Sequence, residues 1–186
     1  MRDAHNRKPR PPLDPAKLNE LALSYVGRFA TTRAKLRIYL NRKVRERGWD
    51  GAGRADIDGL AERFAAQGYI DDQAYALAKA QSLTGRGFGL RRVEQTLRIA
   101  GVDEADAGPA RQHARQDKVE AALRFAQRRR LGPFSSQPVD RPAQERAIAA
   151  MLRAGHDFGL SRNIVEIPPG EPVDHVALAE HHGYSD

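Results

Sequence analysis

The stretch from Gly68 to Val102 restricts the fold more than any other part of the chain. It opens Gly68-Tyr69-Ile70-Asp71-Asp72, passes through an Ala-rich segment to Gly87-Phe88-Gly89, and closes at Gly101-Val102. Asp71 or Asp72 supplies a side-chain oxygen to the unpaired N–H groups of a first helical turn. Glycine accepts the left-handed conformation in which helices commonly end. Two capped helices therefore fit between Gly68 and Gly101. The first carries Ala74, Tyr75, Ala78 and Leu83. The second repeats Leu90, Val93, Leu97 and Ala100 at helical spacing, with Arg91 and Arg98 on another face.

The same punctuation extends in both directions. Asp14-Pro15 predicts a helix start, with Leu18, Leu21, Ala22, Tyr25, Val26 and Phe29 following. Thr31 or Thr32 caps a second helix whose apolar stripe is Leu36, Tyr39, Leu40 and Val44, with Lys35, Arg42 and Arg45 opposite. After a loop at Trp49–Gly53, Ile57, Leu60, Ala61, Phe64 and Ala65 form a third helix that Gly68 closes. Beyond Gly101, Asp103 caps a short helix weakened by Gly108-Pro109. Val119, Ala122, Leu123 and Ala126 lead into Arg128-Arg129-Arg130, and a Gly- and Pro-containing loop spans Gly132 to Pro142. Ala147, Ile148, Met151 and Leu152 then run to Gly155. Asn163–Ile167 reads as a last helical turn or an extended piece.

Strand signals are scarce, and helix sets recur every 50–60 residues or so, the mark of a helical repeat. The expected fold is all-α, an elongated tandem array of three three-helix repeats. Its boundaries are a disordered basic arm at 1–14, repeats at 15–68, 69–110 and a divergent 111–166, and an acidic, loose tail at 167–186. No apolar run is long enough to span a bilayer. The basic, proline-containing start lacks the apolar segment of a secretory signal, and the chain has no cysteine. A cytoplasmic monomer without membrane association is the expectation.

Net charge is +7, and its distribution carries more than its total. Residues 1–54 hold +9, residues 84–100 hold +3 and residues 118–153 hold +5, while the stretches between and after them are acidic. Separated basic stretches favour a polyanionic partner. Lys35, Arg42, Arg45, Arg86, Arg91, Arg92 and Arg98 are the candidate contacts with a partner or nucleic acid. Arg86, Arg91 and Arg92 gather at the start of a helix, where N–H groups also favour anions. Gly85-Arg86-Gly87-Phe88-Gly89 lacks the preceding strand and the Lys-Ser/Thr of a phosphate loop, so it reads as an interhelical turn. Arg128–Arg130 cannot all face one way on a helix and read as a solvated end. Asp71-Asp72 reads as cap and first-turn charge, without a base or nucleophile converging on it. No catalytic residue, metal site or cofactor is expected. A small metal-dependent hydrolase using Asp71-Asp72 or the tail histidines His175 and His182 is the remote alternative.

The quoted pattern resembles the RecX family. The similarity runs roughly from Leu21 to Val165 and is strongest from Ala61 to Val102. It rests on Gly68, Tyr69, Asp71, Asp72, Gly87, Gly89, Leu97 and Gly101, with Ala22–Val26 followed by Ala34–Leu36 and Leu40 similar to the family's first repeat, and Ile148–Gly155 to its final helix. Leu83 stands where arginine is common, Lys35 and Thr96 where glutamate is usual, Ala100 where lysine is frequent, and His156 where an aromatic is usual. The resemblance implies a non-enzymatic regulator that binds the RecA filament on single-stranded DNA. It implies damping of recombinase, ATPase and SOS coprotease activities. A helical DNA-binding protein with no RecA role is the alternative, and direct DNA contact is left open.

Overall fold

The computed structural model describes residues 11–182. Ten α-helices account for most of them: α1 (Pro15–Val26), α2 (Arg33–Arg47), α3 (Ile57–Ala66), α4 (Asp72–Gly85), α5 (Leu90–Ala100), α6 (Glu104–Gln116), α7 (Lys118–Arg129), α8 (Arg141–Arg153), α9 (Phe158–Glu166) and α10 (His175–His182). A single 3-10 turn lies at Gly132–Phe134. No strand occurs among the described residues, in agreement with the all-α expectation. The chain divides inside α4, between Tyr75 and Ala76, into two compact units.

In the first unit, α1 packs on α2 and α2 on α3. Leu18, Ala22, Leu36, Leu40, Leu60, Ala61 and Phe64 form its core, and Tyr25 stacks on Tyr39 at 4.3 Å between ring centres. Asp14 and Thr32 cap α1 and α2 as expected, each accepting from the backbone three residues on. One expectation needs correction. Leu13, placed in a disordered arm, is fully buried; its N–H donates to Gly48 O and its carbonyl accepts from Asp50 N–H. A single leucine among prolines suffices, because one apolar side chain over the α2 end removes a large area from water. Residues 1–10 of the expected arm lie outside the described residues.

The second unit has two cores. In the first of them, α5 packs on α6, and Val93 and Leu97 meet Ala76, Ala80, Leu83, Ala107, Ala110 and Ala114. The buried face of α4 is thus Ala76, Ala80 and Leu83, while Ala74 and Ala78 are exposed. With alanine on every side of this helix the stripe has no sequence signature. α6 also runs straight through Gly108-Pro109 for 13 residues, longer than expected. Pro109 removes one N–H, and the three alanines buried against α5 offset it. The second core joins α7, α8 and α9 through Leu123, Phe125, Met151, Leu160, Ile164 and Val165. Asn163–Glu166 is therefore helical. The loose tail is likewise corrected as far as residue 182: α10 packs on α7 and α9 and buries Leu178.

Five helices stop in one way. At Gly68, Gly87, Gly101, Arg130 and Gly155 the N–H groups of that residue and of the next bond back to carbonyls three and five residues earlier. All five have positive φ, and Arg130 is the non-glycine among them.

Candidate polyanion-binding surface

In the first unit the cations are mostly engaged within the protein. Asp71 caps α4 by accepting from Ala74 N–H, which leaves Asp72 for another task. The Asp72 side chain is 3% exposed and accepts from both the backbone N–H and the Nε of Arg33 at 3.0 Å. Arg37 meets Asp58 and Glu62 on α3. Lys35 Nζ donates to the Tyr75 hydroxyl and lies 4.6 Å from that ring's centre. Arg42 is exposed near Glu46, one helical turn on, at 3.6 Å. Arg45 is exposed in the last turn of α2. Asp71 and Asp72 thus have separate structural bonds and do not form a carboxylate pair.

The second unit treats its arginines differently. Gly85–Gly89 joins α4 to α5 and is clamped from two sides. A Cβ on Gly87 would stand 2.8 Å from Phe125 N on α7, and a Cβ on Gly89 would stand 2.4 Å from Gly155 O. The carbonyls at the α4 end are met by side chains from elsewhere in the unit. Arg124 Nε donates to Thr84 O at 3.3 Å, Arg128 donates to Arg86 O at 2.5 Å, and His156 Nε2 donates to Gly87 O at 3.1 Å. The two guanidinium donors suit the negative end of a helix.

This seating gathers four guanidinium groups around two rings. Arg86, Arg92 and Arg128 lie 5.3, 5.9 and 6.0 Å from the Phe88 centre, and Arg128 and Arg129 lie 5.8 and 5.9 Å from that of Phe125. Cation–π attraction steadies them, and Arg92 also donates to Gln95 Oε1 at 3.0 Å. All four arginines are exposed, and none has a carboxylate within ion-pair distance among the described residues. Elsewhere in the unit Arg111 meets Glu94 and Glu104, Arg124 meets Asp117, Arg141 meets Glu145 and Arg162 meets Glu166.

Arg86 and Arg92 of the expected set are therefore brought together. Arg98 is exposed farther along α5. Arg91 instead lines a separate groove of about 770 Å³ with Arg115, Lys118, Glu120 and His175. That groove is self-compensating, since Lys118 meets Asp157 at 3.0 Å and His175 Nδ1 meets Glu120 at 2.7 Å. Arg128 and Arg129, read as a solvated end, complete the cluster. Their signal lay in Phe125, three residues before Arg128 and so on the same face of α7, but no sequence spacing connects it to Phe88.

His156 fills the place of an aromatic. Its ring is 2% exposed and tilts against Phe125 at 5.7 Å. Burial pushes its pKa below the usual histidine range, opposed by the bond to Gly87 O and by the charge of Asp157. Donation to Gly87 O places the proton on Nε2 and leaves Nδ1 buried without a partner.

No family model matches the chain. Among curated proteins it is 34% identical over 171 residues to the regulatory protein RecX of Myxococcus xanthus, covering 88% of this chain and 91% of that one. It is 29% identical to the regulatory protein RecX of Agrobacterium fabrum, over 77% and 78% of the two chains. Among solved structures, RecX of Lactobacillus salivarius superposes with a TM-score of 0.64 at 18% identity, covering 81% of this chain and 94% of that one. A second regulatory protein RecX gives 0.62 at 21% identity, over 81% and 70%.

Proposed function

This chain belongs to the RecX family of regulatory proteins, and from that premise we propose that it binds the filament RecA forms on single-stranded DNA and damps that filament's activities. Similarity along nine-tenths of a relative named as a regulator carries the reading. Exposed arginines without internal counterions support it, because they are available to a polyanionic composite of protein and DNA. In this reading Arg86, Arg92 and Arg98 on the second unit are the principal contacts. Arg45 on α2 adds a further one together with Arg42, whose Glu46 neighbour is itself exposed, and Arg91 contributes from its groove. Contacts from separate units to a repeating partner sum through effective concentration, so each can be weak. The protein acts by occupancy as a monomer and catalyses nothing.

The test is RecA's DNA-dependent ATP hydrolysis with this protein added below one copy per RecA. A falling rate that tracks occupancy of the filament is the expected outcome. An unchanged rate, with the protein bound to DNA stripped of RecA, would favour a DNA-binding protein with no RecA role.

A further inference from the structure

We infer that the cluster of Arg86, Arg92, Arg128 and Arg129 contacts the phosphate backbone of a nucleic-acid strand directly and without regard to base sequence. The inference rests on the filament reading and narrows it, by giving this surface the DNA and not the protein component of the filament.

Three observations favour phosphate. First, these four guanidinium groups have no carboxylate partner among the described residues and gather on two rings, whereas the unit's other arginines without such a partner, Arg146 and Arg153 among them, are not gathered on rings. A guanidinium keeps its charge at any relevant pH, and its fork of donors matches two phosphate oxygens. Second, the backbone that carries the cluster is held before anything binds. The clamped glycines, the Arg128 bond to Arg86 O and the His156 bond to Gly87 O hold the loop, so little ordering cost remains at contact. Third, the cluster offers charge and little else. Phe125 is buried, Phe88 is half-buried, and arginines lie over both rings. The exposed large apolar side chains of the unit are Ile99, Val139, Phe158 and Val176, none of which belongs to the cluster. A protein interface presents an apolar centre inside its polar rim, and this surface has only the polar part.

The experiment measures binding of the full chain to two labelled single-stranded oligonucleotides of unrelated sequence, across a range of salt. Arg86→Gln with Arg128→Gln is compared with Arg146→Gln with Arg153→Gln, which removes two exposed α8 charges outside the cluster. Both oligonucleotides are expected to bind alike. The cluster variant is expected to bind about tenfold more weakly, with the log–log salt slope shallower by roughly 1.4, from about 0.7 per lost phosphate contact. The α8 variant keeps the native slope, and circular dichroism confirms equal helicity. A native slope in the cluster variant overturns the inference. So does binding to poly-glutamate as tight as to DNA, which would assign the surface to an acidic protein face. A parallel arm with RecA-coated DNA separates the two claims. Binding to coated but not bare DNA overturns the phosphate contact and leaves the filament reading standing. Binding to bare DNA that RecA coating abolishes defeats the filament reading alone.

Discussion

The two units of this protein carry similar chemistry and use it in opposite ways. In the first, Arg33 and Arg37 are held by Asp72, Asp58 and Glu62, and Lys35 is held by Tyr75. In the second, Arg86, Arg92, Arg128 and Arg129 lie on phenylalanine rings and backbone carbonyls. Carboxylates neutralise a cation as they position it, whereas rings and carbonyls position it and leave its charge outward. Among the described residues, the paired cations of the first unit are less available to a partner than the four of the second unit's cluster. Net charge per segment counts residues, and what a partner meets is the charge left after internal pairing.

The backbone seat of the second unit is its most sensitive point. Gly89→Ala puts a methyl 2.4 Å from Gly155 O at an ordinary φ, so its cost is contact alone. A loss of about 3 kcal/mol in urea unfolding is expected, whereas Gly85→Ala, facing open space, leaves the midpoint unchanged or raises it. Equal effects would mean that the loop is not clamped. In the first unit the matching lesion is Asp72→Ala. It strands the N–H and Nε of Arg33 and should cost about 2 kcal/mol, less than for a fully buried pair because the arginine is 24% exposed. A cost below about 0.5 kcal/mol would remove the structural role given to that pair.

His156 connects the loop's seat to pH. Its native pKa is depressed below 6.5 by burial, so the unfolded chain takes up the proton first. Stability from this group is complete above 6.5 and declines as pH falls below it. His156→Phe should flatten the pH dependence of the melting temperature between about pH 6.5 and 5, above the range in which carboxylates titrate. An unaltered slope would show that the buried imidazole does not contribute. The smallest effect is expected where the charges face outward: Arg86→Gln with Arg128→Gln removes one exposed hydrogen bond and should move the unfolding free energy by about 1 kcal/mol or less. A loss of 2 kcal/mol would make these arginines as structural as Arg33 and erase the contrast between the units.

The helices were legible because their ends are written locally. Asp14, Thr32 and Asp71 cap, and Gly68, Gly87, Gly101 and Gly155 stop, each through contacts within a few residues. What was not legible depends on partners distant in the chain. Leu13 needed the α2 end to be recognised as core. The buried face of α4 needed α5 and α6 to choose among alanines pointing every way. Lys35 looked exposed on α2 until Tyr75, forty residues on, met it. Arg128 looked like a solvated end until its carbonyl partner Arg86, forty-two residues back, joined it to Phe88. Residue spacing reports the surface of an isolated helix, and a site is made by the faces that remain when helices meet.

The most direct measurement is anisotropy of labelled single-stranded DNA coated with RecA, titrated with the native chain and two charge-reversed variants. Arg86→Glu with Arg128→Glu alters the second unit, and Arg33→Glu with Arg37→Glu alters the first. The first-unit pair is paired internally, so that variant is judged on binding per folded molecule. A loss of tenfold or more confined to the second-unit variant, with the first-unit variant within threefold of native, is the predicted result. Comparable loss from both, or loss from the first unit alone, would contradict the claim that internal pairing decides which charges reach the partner.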